Sequence, residues 1–564
     1  MVITYKLVYT LHTQKSCLYE YYVVLSLLTL YKYMSYQNAQ RMKASKKHWV
    51  FSGWYVDNVQ NVDLAPHYSP YLRNARLDGQ SIIIRPWHSL FATLTTWDYP
   101  RWIWSYLRTD PANDRIVVRH NTDATHKLYS LTTAGVATSV STAGYIASDN
   151  RMEFQNVEDV IYCMNGSDDF GKLSWTTYTT PSTWISDFSP SFSVVFNSSH
   201  RVSGWSDNSN KVYKSVWDNY EDFNSSWSDD FTFKETVTWL SANLEALFYF
   251  TKNTISVTGA TDIQDTAGTA TYTTRSLEVK EWATNHASIV EAGSKTFFLT
   301  PSNKISIIAR GQIIDWFEVL ELSERPYNGI SKIMNTLDID QTDSFGYFLP
   351  KDNLIKRHLK TEWATFNDIC IVYDLTKDAF LVDTQKFFYG WIHFKWLNYT
   401  ISMLEEKVYK DESGNDDEDS PTPFEYRTKE YYISDPTYKK ILWESRTLLD
   451  INELASLTQT IWIDWQQIDT KTVWVLNVSP TIVWWIGISS IWEESIWEEW
   501  STNLNEWDDD YYEIYILRTK GNLNEKWRKI QFRYTNNTVA GKARLKDLNM
   551  KVEVLSEIAT NLTT

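Results

Sequence analysis

Two pairs of adjacent carboxylates, Glu493-Glu494 and Glu498-Glu499, sit inside an Ile-Trp-Glu-Glu repeat. Paired acids are what a glycosidase uses, one as general acid and the other as nucleophile or base. Neighbours in sequence do not face each other across a cleft, so no catalysis is expected there. The ten histidines are spread without metal-ligand spacing, and His67, His88, His120 and His126 are expected at turns or on the surface. Asp416, Asp417, Glu418 and Asp419 offer hard oxygens suited to Ca²⁺ but lack the ordered spacing of an EF-hand, so a solvated loop is expected. There is no G-x-S-x-G elbow, P-loop, H-E-x-x-H or C-x-x-C. Cys17, Cys163 and Cys370 are too scattered for a disulfide framework or a zinc site, which fits synthesis in a reducing cytoplasm. No catalytic, cofactor-binding or metal residue is assigned, and the chain is expected not to be an enzyme.

The elements that would position any site come from the whole chain of 564 residues, long enough for two or three domains. Hydrophobic content of 43% and charged content of 22% suit a folded, soluble protein. A net charge of −16 argues against a general grip on nucleic acid, which needs basic surface to displace counterions. The composition has one anomaly: 28 Trp against 18 Gly. Many of these Trp stand in turn or polar contexts, as in Gly53-Trp54, Gly204-Trp205, Gly390-Trp391, Trp484-Trp485, Trp227, Trp497 and Trp527. Trp175, Trp217 and Trp239 raise the same question. Turn positions with φ > 0 favour Gly and penalise bulky side chains. Many of these Trp are therefore expected to be UGA codons that the natural host reads as glycine, and the Ile-Trp-Glu-Glu repeat then becomes a pair of Gly-containing loops.

Short strands with tight turns recur along the chain. Phe192 to Gly259 reads as four of them, at Phe192–Val202, Lys211–Ser215, Ala246–Phe250 and Thr254–Thr258. Hairpins of the same kind follow around Pro301-Ser302-Asn303, Pro350-Lys351-Asp352-Asn353 and Asp374 to Asp378. Blade-length recurrence predicts an all-β fold: a β-propeller of six or seven blades over 61–410, then a C-terminal β-sandwich over 424–564. Residues 1–33 are expected to be a translated leader or weak anchor, with Met34 as the start. Residues 34–60 are expected to form a basic extended arm carrying Arg41, Lys43, Lys46 and Lys47. Residues 411–423 are expected to be an acidic linker, and Leu449 to Leu457 a short helix. A second basic group, Arg528, Lys529, Arg533, Arg544 and Lys546, lies in the C-terminal part, where it suits an acidic partner surface.

Two stretches carry resemblances. The opening Phe51-Ser-Gly-Trp-Tyr-Val, the Asn74-Ala75-Arg76 step and the Asp78-Gly79 hairpin into a strand ending Arg85-Pro86 resemble bacteriophage virion stabilisation or tail accessory proteins of the head–tail junction. The ending, with Arg528-Lys-Ile-Gln-Phe-Arg533 and Leu545 to Glu553, is similar to the C-terminal domain of the same proteins. The resemblance implies a structural virion protein assembled in the host cytoplasm. Its expected partners are portal or tail proteins and copies of itself in a ring, with neither sequence-specific nucleic-acid binding nor a membrane. Ser167 to Trp175 resembles the Asp-box turn of sialidase-like propellers, in which the Asp accepts backbone hydrogen bonds and the aromatic packs between strands. That resemblance implies the alternative, a propeller glycosidase with an axial Arg cluster and a Tyr–Glu pair, or a carbohydrate-binding surface protein.

Overall fold

The computed structural model describes residues 45–50, most of 69–474 and most of 513–555. Its strands are short and hairpin-linked because alternating apolar runs are cut by residues that tolerate tight turns. Two-residue turns at Asn197-Ser198 and Lys395-Trp396 join Phe196 to Ser199 and Phe394 to Leu397 across their ladders. Seven four-stranded antiparallel units result among the described residues, over residues 100–140, 153–179, 192–232, 237–277, 290–321, 345–384 and 388–414. The seventh takes its outermost strand, Trp87–Thr93, from the beginning of the chain, paired against Lys407–Gly414. First strands of neighbouring units pack side by side, which makes a seven-bladed β-propeller with these strands innermost. Strands such as Leu354–Leu359 and Ile369–Asp374 are buried throughout because blades cover both their faces.

Several boundaries differ from the sequence reading. Phe192 to Gly259 spans two blades, because Asp229–Thr232 completes one and Val237–Ala242 begins the next. Phe192 to Val202 is a hairpin and not a single strand. The acidic linker starts late: Asp411 is a buried residue of the Lys407–Gly414 strand, while Asp416 to Asp419 lie outside the described residues. The described residues of Leu449 to Leu457 are strand and not helix: strand Lys439–Ile451 runs into the segment and strand Ser456–Ile463 begins within it. Within the expected arm, Ser45–Val50, which includes Lys46 and Lys47, pairs with Ala543–Leu555 as a strand. The expected leader, Arg41 and Lys43 lie outside the described residues.

The second domain is a β-sandwich that also uses the N-terminal segment. One sheet contains Ala75–Asp78, Ser81–Ile84, Ala543–Leu555, Lys439–Ile451 and Glu513–Glu525. The other contains Tyr71–Arg73, Phe424–Arg427, Lys529–Asn536, Ser456–Ile463 and Gln466–Trp474. Residues 71–84, expected in the propeller, therefore belong to the sandwich. Between the sheets, Gln459 donates to Tyr534 Oη and Thr447 Oγ1, each at 2.9 Å, which satisfies a buried amide nitrogen. The second sheet does not end there. Tyr71–Arg73 pairs in parallel with Ala379–Thr384, the outer strand of blade 6, so ten strands form one sheet across both domains. The apolar core is likewise continuous from blade 6 (Phe380, Val382) to the sandwich (Phe532, Leu548). No helix among the described residues is long and apolar enough to cross a membrane.

Candidate functional site

Two clusters of charge are built by this architecture. The first lies on the propeller axis. Glu153, on the inner strand of blade 2, has Oε2 3.4 Å from His286 Nδ1, on the loop entering blade 5. Blades 2 and 5 are not neighbours in a seven-membered ring, so this contact crosses the central channel. Arg151 Nε lies 3.6 Å from Glu153, and its guanidinium stacks 3.6 Å from the centroid of Trp102 in blade 1. Glu291 of blade 5 accepts from Ser241 Oγ and the Ala242 N–H of blade 4, both at 2.8 Å. Tyr389 of blade 7 donates to Asp343, before blade 6, at 2.9 Å. Burial alone would raise the Glu153 carboxyl, but His286 and Arg151 outweigh it and hold it below its ordinary value. The Glu291 carboxyl is raised by desolvation from the atoms around it, although the residue as a whole is exposed. The Glu153–His286 contact thus ties blades across the channel, and the other contacts tie neighbouring blades together.

The second cluster joins the first strands of the chain to blade 6. Arg76 makes a two-pronged contact with Asp383 of blade 6, at 2.9 and 2.7 Å, with both side chains buried. Asn74, at φ +53°, donates to Thr384 Oγ1 and the Pro423 carbonyl and accepts from Arg85 Nε and the Thr384 N–H. Its left-handed backbone is one that Asn tolerates. His88, on the closing strand, has Nδ1 3.0 Å from Asp411 Oδ1, and Asp411 Oδ2 accepts from Lys356 Nζ at 2.7 Å and Tyr347 Oη at 3.0 Å. Burial would raise the Asp411 carboxyl, but Lys356 and His88 reverse this and hold it well below the usual carboxylate range. A charge-assisted chain therefore runs from the sandwich junction to the ring closure.

The sequence-stated residues fare unevenly against this geometry. His88 and His120 are buried, not surface residues, because each lies on a strand covered by its neighbours. His67, His126, Glu493, Glu494, Glu498 and Glu499 lie outside the described residues, as do Cys17, Trp205 and Trp227. Lys529 pairs with Glu430 and Arg533 with Glu425 within the sandwich sheet. The Asp-box expectation fails in detail. Asp168, one residue before the box position Asp169, accepts from the Ala147 and Ser148 N–H groups, while Asp169 is exposed. Trp175 is not packed between strands but sits on a turn beside a cavity of about 150 Å³ lined by Tyr106, Arg115, Ser130 and Thr138. Trp239 and Trp391 are not in turns. Trp239 stacks on His286 and Trp391 on Tyr347, and each lies on an inner strand.

The arginines required for the glycosidase reading do not converge with Arg151. Arg119, Arg201 and Arg357 lie on second strands, buried between blades. Each stands next to a buried His (His120, His200, His358), a recurring pair in blades 1, 3 and 6 that was present in the sequence and went unread. Burial lowers the Arg357 guanidinium to about 9 and the His200 imidazole to about 3. Cys163 and Cys370 are buried, and burial raises both thiols. A thiol reagent added to the folded protein is expected to leave both unmodified until denaturant is present; peptide mapping that finds either labelled under native conditions would contradict this burial.

Fold and clusters define the class: a seven-bladed β-propeller joined through blade 6 to a β-sandwich. No family model and no curated protein matches the chain. Among solved structures it is similar to BamB from Moraxella catarrhalis, at 9% identity over 60% of this chain and 93% of that one, with a TM-score of 0.36. It is also similar to YCF48 bound to a D1 peptide, at 10% identity over 60% and 97% of the two chains, TM-score 0.38. A third similarity is to the Myceliophteria thermophila Cps50 (Swd1) β-propeller domain, at 6% identity over 57% and 98%, TM-score 0.38.

Proposed function

We propose that the chain is a structural component of a phage virion at the head–tail junction, docking against portal or tail proteins and against copies of itself. The observation that carries this reading is the ten-stranded sheet running unbroken from blade 6 into the sandwich. A hinge between domains would let force bend the molecule; a shared sheet with a buried Arg76–Asp383 pair resists such bending. The resemblance agrees with it, since Asn74, Arg76 and Arg85, three of the residues that carry the likeness, are those that hold the junction. On this reading the axial cluster is a brace and the chain has no catalytic task.

The test is proteomics of purified particles combined with cross-linking. The chain is expected at fixed stoichiometry in intact virions, cross-linked to portal or tail subunits through interfaces above ~1,000 Å². Its absence from washed particles would overturn the proposal.

A further inference from the structure

Two groups of the described tryptophans contrast in backbone and in packing. Trp102, Trp239 and Trp391 lie on inner strands with their rings against other aromatic side chains, and Trp239 Nε1 also donates to the Ala283 carbonyl at 3.2 Å. Trp175 and Trp396 differ in backbone and in surroundings. Their φ angles are +60° and +67°, in the left-handed region where a Cβ is penalised. Most other non-glycine residues at positive φ are Asn or Asp, the types that accept that conformation most readily. Trp396 is the second residue of a two-residue hairpin turn whose first residue, Lys395, also has positive φ, and such turns ordinarily place Gly second.

Neither ring offers a packing reason for its presence. Trp396 is 87% exposed and Trp175 42%. Arg108 and Arg115 lie 4.7 and 5.5 Å from the Trp175 ring centre and offset part of what the left-handed backbone costs there, whereas no such contact offsets it at Trp396 among the described residues. Trp217 and Trp363 are two further rings left largely in solvent, the latter at 91%. On a surface of net charge −16, rings so placed look like a docking or sugar-stacking face. The backbone supports a different origin.

We infer that the backbone at 175 and 396 is a glycine backbone, and that the natural protein carries Gly at both positions because UGA is decoded as glycine where it is made. The turns are then ordinary, and the wall that Trp175 gives the cavity beside Tyr106 is absent from the natural protein. The inference is independent of the virion role and fails or stands separately from it.

The test reads the codons and the stability together. UGA is expected at codons 175 and 396, and peptides of the protein from its natural source are expected to have the mass of Gly at both. UGG at either codon, or Trp in either natural peptide, overturns the assignment. In the chain as given, Trp175→Gly and Trp396→Gly are each expected to raise the melting temperature, whereas Trp239→Gly lowers it by removing a packed ring. A fall in melting temperature for Trp396→Gly would also overturn it.

Discussion

Asp411→Ala is expected to destabilise the propeller by about 3–5 kcal/mol, because it leaves Lys356 as a buried charge without its carboxylate. Both side chains are fully buried, so water cannot replace the lost partner. The damage falls where the ring closes, since Asp411 lies on the third strand of blade 7 and His88 on the strand that completes it. Urea unfolding should show an earlier midpoint, with blade 7 losing amide protection first. The double variant Asp411→Leu/Lys356→Met removes both charges and should recover most of the loss; a single variant as stable as the parent would refute the account. The pH dependence has a definite sign. Asp411 is held below its unfolded value of ~3.9. Its contribution is therefore fully present above ~pH 4, and it is lost as pH falls below that value toward the folded pKa.

Arg76→Ala is expected to have an effect of similar size, about 3–5 kcal/mol, with a different outcome. It strands Asp383 on blade 6 and removes the link to the Ala75–Asp78 strand of the sandwich. Calorimetry of the parent is expected to give one cooperative transition and that of the variant two, as the sandwich begins to unfold independently of the propeller. Arg76→Met with Asp383→Leu should restore a single transition. One transition in Arg76→Ala with an unchanged midpoint would mean that the shared strand pairing alone holds the domains together.

The all-β class was legible because alternation and turn residues are local signals. What joins distant strands was not. Asp411 belongs to an acidic run that looks solvated by composition, and nothing in that run reveals that a strand's phase continues through it. His88 and His120 were misplaced because polar side chains on strands covered on both faces mimic an exposed face. The axial cluster was out of reach for the same reason: Trp102, Arg151, His286 and Tyr389 meet only when the ring is closed. By contrast, Asn74-Ala75-Arg76 was visible as a motif, and only its task as the junction between domains was hidden. The Trp–Gly imbalance was visible in the composition, but composition could not separate Trp396 on its left-handed turn from Trp391 five residues earlier in a packed strand.

Completing blade 7 with a strand from the start of the propeller has a kinetic consequence. Asn74 waits for Thr384, 310 residues later, and Ser69 waits for Arg427, 358 residues later. Bringing together ends about 300 residues apart costs about 5 kcal/mol of chain entropy before any contact repays it. Ring closure and docking of the sandwich are thus expected to be the slowest steps of folding. Until then Trp87–Thr93 and the strand it will join are open edges. The same edge on a neighbouring chain is an equally good partner, so refolding at high concentration favours copies that have exchanged this strand.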